Sequence, residues 1–328
     1  WSSGSLFELA SAYWSSAALL AAVDLGVFDA IDENPFEAAD LSARLGAPTA
    51  HLAALLDALC GLRVMQKSAG RYQLHPDLRP LLLRSGGECL LDALRFNCDL
   101  YPLWGRLSAV IRSGEPAVPA AAHLGQDPQR MRRFVMGMHS RALSMAPPVV
   151  AMIDLSGRRR LLDLGAGPGT FSRLLLDKYP SLTATLLDLP PVLGVAREII
   201  AASPVGGRVA FHAGSYRVGP LPPGHDAVLY CGALHQESIE SARALFASVH
   251  AALEPGGQIV VVDMLLSPDR TAPVFSTLFA LNMLLTTPTA RVFSHDEATR
   301  LLREAGFSNI DLRHVPQSPY SIVVGLKP

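Results

Sequence analysis

From Arg159 to the end of the chain, short apolar runs alternate with stretches whose apolar positions recur every three or four residues. The runs Arg160 to Leu164, Thr183 to Leu187, Val209 to His212, Ala227 to Tyr230 and Ile259 to Asp263 predict strands, and the segments between them predict helices. Such alternation predicts an α/β fold built on a mainly parallel, doubly wound sheet. Two final runs, near Asn309 to Val315 and Ser321 to Leu326, have no helix between them and predict an antiparallel hairpin at one edge.

The first half of the chain has a different rhythm. Leu6 to Ile31 reads as an amphipathic helix followed by a turn at Leu25-Gly26-Val27-Phe28. Asp40 to Gly46 and Thr49 to Cys60 have helix-turn-helix spacing. Val64 to Leu74, turning at Ser68-Ala69-Gly70, reads as the two-stranded wing of a winged helix. Leu90 to Arg112 predicts a long helix that Pro102 kinks or restarts. Gly114 to Pro128 reads as a linker, and Arg132 to Met145 as a helix that Pro147 and Pro148 interrupt. The expected division is 1–88 as a winged-helix-like domain, 89–150 as linking helices and 151–328 as the sheet domain.

A winged helix invites a DNA-binding reading, and charge argues against it. The presumed recognition helix, Thr49 to Cys60, carries no Arg or Lys, the groups that chiefly read bases and phosphates. Residues 1–88 hold ten acids against six Lys plus Arg. The module is expected to pack or dimerise. With 328 residues, 49% of them hydrophobic, and a formal charge of −1, the chain can bury two cores but has no global attraction for nucleic acid or anionic membrane.

The longest unbroken apolar run near the N-terminus, Ala17 to Val23, falls short of the ~18 residues of a membrane span. Four cysteines without C-x-x-C spacing (Cys60, Cys89, Cys98, Cys231), and no basic-then-apolar leader, predict reduced thiols and a cytoplasmic location. His139, His212 and His225 show no metal-ligand spacing.

The most informative stretch is Leu161-Leu162-Asp163-Leu164-Gly165-Ala166-Gly167-Pro168-Gly169, a buried strand running into an acid and a G-x-G-x-G turn. Glycines at 165, 167 and 169 let a ligand lie against the main chain. The dinucleotide fingerprint is G-x-G-x-x-G; here the third glycine comes one residue early, and Pro168 removes an N–H from the region that would cradle a pyrophosphate. Both features favour a cofactor without phosphates and disfavour an NAD-dependent dehydrogenase. Asp188, ending the next strand, is placed to accept ribose hydroxyls. Glu254-Pro-Gly-Gly257, before the Ile259 strand, is the third signal.

These residues, with Tyr13-Trp14, Leu25-Gly-Val-Phe-Asp29, Asp188-Leu189-Pro190, Leu234-His235 and Ala280 to Leu285, resemble the S-adenosylmethionine-dependent O-methyltransferases of the caffeate, flavonoid and hydroxyindole type, including bacterial enzymes acting on polyketides and phenazines. The resemblance spans the chain. It implies a Rossmann-like seven-stranded class I methyltransferase sheet, an N-terminal dimerisation domain and a homodimer. It further implies that Asp163, Gly165, Gly167, Gly169, Asp188, Leu189, Gly214, Ser215, Tyr216 and Cys231 hold S-adenosylmethionine, and that Trp104, Met138, Asn282 and Met283 line the pocket of a small-molecule acceptor. Where the family has a Gly-Asp-aromatic motif, this chain has Gly214-Ser215-Tyr216, so the charged adenine acceptor is replaced by a hydroxyl.

The resemblance makes His235 the general base. A phenol near pKa 10 is mostly protonated at neutral pH, and an imidazole can take its proton as charge develops. The reaction requires no metal. Family members often follow this His with Asp-Trp and add a carboxylate after a Gly-Gly turn. Here Gln236-Glu237 follows, and no acid occurs between Leu285 and Asp296. The group orienting His235 is unassigned, with Glu237 a candidate that, read as the start of a helix, is more often solvated. Two alternatives stay open: carbon or nitrogen methylation on the same scaffold, and a cofactor-sensing or DNA-binding regulator without catalysis.

Overall fold

A computed structural model describes residues 1–118, 128–287 and 291–328. The middle of the expected 114–128 linker, and Pro288 to Ala290, lie outside the described residues. The chain divides into two compact units, Trp1–Pro102 and Leu103–Pro328, the division falling within the segment read as linking helices.

In the first unit the helices Ala38–Leu45 and Thr49–Gly61 are followed by an antiparallel hairpin, β1 (Met65–Ser68) and β2 (Arg71–Leu74). Leu41 on the first helix, and Leu52, Leu56 and Leu59 at helical spacing on the second, pack with Phe28, Met65 and Tyr72 into one core. The helices Ser3–Ser11 and Tyr13–Asp24 instead leave Leu6, Phe7, Leu9, Tyr13 and Trp14 exposed. Taken together, Ser3–Asp24 is long and apolar enough to cross a membrane, with a mean hydropathy of 1.4. A search for unbroken apolar runs misses this, because scattered small polar residues interrupt the run while barely lowering the mean.

The second unit carries a seven-stranded sheet in the order β5-β4-β3-β6-β7-β9-β8, formed by β3 (Arg160–Leu164), β4 (Thr183–Asp188), β5 (Val209–Ala213), β6 (His225–Cys231), β7 (Leu253–Asp263), β8 (Ser308–His314) and β9 (Ser321–Leu326). The first five are parallel; β9 enters antiparallel between β7 and β8. Adjacent residues divide between two cores. Leu162, Val228, Tyr230 and Val261 face one, and Leu161, Ala227, Leu229 and Val260 face the other. A period of two with both faces covered accounts for the near-continuous apolar runs in the sequence. Two successive strands, β4 and β5, step outward from β3 before the chain returns to lay β6 on its other side. The crevice at the carboxyl ends of β3 and β6 is thus the switch point at which such sheets receive ligands.

Two helices differ from expectation. Pro102 does not break its helix, which runs Leu91–Trp104; the break is the turn at Gly105 and Arg106, before Leu107–Ser113. Pro147 and Pro148 lie inside a 25-residue helix, Pro128–Met152. Prolines there remove backbone donors near the helix end, and burial of Ala146, Val149 and Val150 against the sheet core offsets that loss.

Candidate active site

The glycine turn sits at the end of β3, and its three glycines act differently although all have positive φ, at +64°, +55° and +72° for Gly165, Gly167 and Gly169. A Cβ on Gly169 would lie 2.6 Å from Leu186 Cδ1, and one on Gly165 would lie 3.0 Å from Tyr216 Cε1. Those two bring backbone close to protein. A Cβ on Gly167 meets nothing within 4 Å, so at this position the turn faces open space where a ligand can approach the main chain.

Asp188 ties the turn to β4. Its Oδ2 accepts from Gly167 N (2.7 Å) and its Oδ1 from Leu189 N (2.7 Å). Burial raises its carboxyl above the ordinary range, and the two N–H donors partly offset this. Asp163 is more deeply placed, 2% exposed, and accepts a 2.6 Å bond from Ser172 Oγ. Burial pushes its carboxyl up to about 7, Ser172 acting in the opposite direction and the charge of Asp188 in the same one. At the end of β6, burial holds the Cys231 thiol well above its usual range, with Asp163 and Asp263 adding to the effect.

His235 lies four residues beyond β6, in the 3-10 turn Leu234–Gln236, and is 9% exposed. Its Nδ1 is 3.0 and 3.2 Å from the two carboxylate oxygens of Asp263, the last residue of β7. The parallel register that sets Cys231 beside Val262 brings them together. Asp263 also accepts from His235 N (3.2 Å) and Met264 N (2.8 Å). A carboxylate only accepts, so its bond to the ring places a proton on Nδ1 and leaves the lone pair of the neutral imidazole on Nε2. The Phe279 ring meets His235 edge to face at 4.9 Å, and Arg291 N donates to the His235 carbonyl.

Asp263 therefore occupies the orienting position that the sequence reading left unassigned. The one local signal was an acid at the end of an apolar strand, which does not by itself say that this strand lies beside the one delivering the histidine. Glu237 is paired with other side chains and is not solvated. Ser238 caps the following helix, which starts at Ile239, and Glu237 stays in the connection, 1% exposed. It accepts from Tyr216 Oη (3.0 Å) and Arg217 Nε (2.7 Å).

Among the expected acceptor-side residues, Met283 packs in a small core with Leu266 and Val292, and Trp104 with Val110, Ala117 and Leu285. Met138 is half-buried on the Pro128–Met152 helix. Asn282 is half-buried three residues beyond Phe279 on the Val274–Thr286 helix, hence on nearly the same face as the ring covering His235. Leu189 is exposed, and Gly214 and Ser215 follow β5, with Gly214 N bonded to Asp188 O. Among the described residues no group of three or more His, Cys, Asp or Glu side chains is arranged to hold a metal ion.

Family models match residues 7–77 as an O-methyltransferase dimerisation domain and 104–308 as an O-methyltransferase domain. The chain is 31% identical to 3-hydroxy-5-methyl-1-naphthoate 3-O-methyltransferase of Streptomyces sahachiroi, over 98% of this chain and 94% of that protein. It is 30% identical to the N,N-dimethyltransferase OxyT of Streptomyces rimosus, over 92% and 90%. The solved structure of PigF with SAH superposes with a TM-score of 0.88 at 26% identity, covering the whole of both chains. With the two domain matches, the glycine turn and the histidine at the switch point in agreement, this chain belongs to the S-adenosylmethionine-dependent O-methyltransferase family.

Proposed function

We propose that the protein methylates a hydroxyl group of a small aromatic acceptor, with His235 as general base and Asp263 as the residue that positions it. The observation carrying this reading is the bond from Nδ1 to Asp263, which fixes the ring and leaves Nε2 as a proton acceptor beside the switch point. S-adenosylmethionine, when bound, supplies a methyl group on an electrophilic sulfonium. Gly167, with open space above its Cα, and Asp188, with lone pairs beyond its two backbone bonds, would hold the methionine and ribose parts; Gly165, Gly169, Leu189, Gly214, Ser215, Tyr216 and Cys231 complete that side. The buried Asp163 would support the turn from within.

His235 then receives the hydroxyl proton as the oxygen acquires its new bond. The Asp263 carboxylate stabilises the imidazolium and prevents the ring from flipping. Phe279 shields the ring from water and offers an apolar edge to a planar acceptor, with Asn282, Met138, Trp104 and Met283 setting the rest of the pocket. The relatives that act on naphthoate and polyketide acceptors support an aromatic substrate.

The exposed apolar side chains Phe7, Leu9, Tyr13 and Trp14, within the matched dimerisation region, support a homodimer in which a second copy covers them. Four cysteines without C-x-x-C spacing fit a reducing, cytoplasmic compartment. Nitrogen methylation is the second reading, supported by the similarity to an N,N-dimethyltransferase. Transfer of radiolabelled methyl from S-adenosylmethionine to a panel of phenols, hydroxynaphthoates and aromatic amines separates the two. Label on oxygen supports the first reading; label on nitrogen alone replaces it with the second.

A further inference from the structure

Glu237 lies two residues beyond His235, and nothing in the proton transfer uses it. Its burial calls for an explanation, because a carboxylate withdrawn from water is costly unless paired and hydrogen-bonded. The pairing is specific. Arg217 approaches with Nε at 2.7 Å and Nη2 at 2.6 Å from Oε1. Tyr216 Oη donates to the same oxygen at 3.0 Å, and Tyr230 Oη lies 3.5 Å away. Arg217 Nη2 also reaches the Gln236 carbonyl (3.3 Å), and Arg217 N donates to Ser215 Oγ (3.2 Å). The loop after β5 is thereby fastened to the turn after β6.

The fastening has a consequence at the glycine turn. Tyr216 is held with its ring against Gly165, so close that a Cβ there would be 3.0 Å from Cε1. That ring also packs T-shaped with Tyr230, their centroids 5.5 Å apart. Tyr216 is therefore wedged between the backbone of the glycine turn and a buried anion, while the Arg217 guanidinium remains half-exposed.

We propose that Glu237 is a positioning residue for the cofactor: through Tyr216 and Arg217 it seats the Gly214–Arg217 loop against Gly165 and sets the affinity for the nucleoside. This rests on the assignment of the glycine turn and the β5 loop to S-adenosylmethionine. Ser215 offers the nucleoside only a hydroxyl, and the arrangement offsets this. A hydroxyl makes a weaker bond than a carboxylate, and a loop fixed in advance loses less entropy on binding.

The test is calorimetric titration of S-adenosylhomocysteine into wild type, Glu237→Gln and Tyr216→Phe, with steady-state kinetics alongside. The conservative Gln keeps one acceptor and the Phe keeps the wedged ring, so both variants should fold. Each should weaken S-adenosylhomocysteine binding and raise the KM for S-adenosylmethionine about tenfold; in Glu237→Gln, kcat and the KM for the acceptor should stay within about twofold of wild type. Unchanged cofactor affinity in both variants, whether or not their Tm falls, overturns the proposal and leaves the cofactor assignment intact. A wild type that does not bind S-adenosylhomocysteine overturns that assignment and, with it, the proposal.

Discussion

Replacing Asp263 by Asn preserves shape while changing what the side chain can accept, and its cost can be worked from the contacts. Three N–H donors converge on the two carboxylate oxygens: His235 Nδ1 at 3.0 and 3.2 Å, His235 N at 3.2 Å and Met264 N at 2.8 Å. An amide offers one oxygen and one NH2 group. Either orientation sets NH2 against a backbone N–H, and the ring can then use the NH2 only by accepting it on Nδ1. That moves the ring proton to Nε2 and removes the base. Even with the original tautomer retained, the imidazolium loses a carboxylate whose charge centre lies about 4 Å away, worth about 4 kcal/mol at an effective dielectric constant of 20. At about 1.4 kcal/mol per decade, kcat for Asp263→Asn should fall by a factor of about a hundred to a thousand. S-adenosylhomocysteine affinity should stay within threefold, since Asp263 bonds to no residue of the glycine turn. Initial methyl-transfer rates at saturating donor and acceptor read the first quantity and calorimetry the second. A variant with kcat within threefold of wild type refutes the orienting role.

Other perturbations separate stability from binding. The carboxyl of Asp163 is raised from 3.8 to about 7 by burial, so the folded state holds its proton more tightly than the unfolded chain. Its contribution to stability must fall as pH rises from about 4 to about 7. Urea unfolding at pH 5 and pH 7.5 should show Asp163→Asn, whose amide oxygen can still accept from Ser172, losing less over this range than wild type by about 2 kcal/mol; equal losses contradict the burial argument. Both Gly167→Ala and Gly169→Ala incur about 1 kcal/mol of left-handed backbone strain. The clash with Leu186 should make Gly169→Ala the less stable by thermal unfolding, and the methyl projecting into open space should make Gly167→Ala the weaker binder of S-adenosylhomocysteine, by about tenfold. Phe7 and Trp14, exposed at 77% and 66% in a single chain, should lie in the dimer interface. Phe7→Glu with Trp14→Glu should shift sedimentation from dimer to monomer, and an unchanged dimer would place the interface elsewhere.

The sheet was legible because local pattern determines it: six of the seven strands of the second unit were anticipated within two residues at each end, edge hairpin included, while β7 starts six residues earlier than its apolar run, at Leu253, and takes in Glu254 to Gly257. The glycine turn and His235 were legible for the same reason, each lying beside the strand that presents it. Asp263 was not. It is 28 residues from His235, and only the parallel register of β6 against β7 makes them neighbours. Glu237 was misread because placing it on a helix implies a solvated face. The helix begins two residues later, at a Ser238 cap reciprocated by Ser241. Pro147 and Pro148 misled in the opposite direction, since local propensity marks a break that tertiary packing of Ala146, Val149 and Val150 overrides.

The central claim, that His235 accepts the proton while other residues bind the donor, is tested most directly by comparing wild type with His235→Ala in radiolabelled-methyl transfer, beside S-adenosylhomocysteine titration of both proteins. Transfer to an acceptor hydroxyl should fall at least a hundredfold in the variant, with S-adenosylhomocysteine affinity unchanged within threefold. Turnover retained in His235→Ala, with label still arriving on oxygen, would contradict the account and leave the histidine without a part in the chemistry.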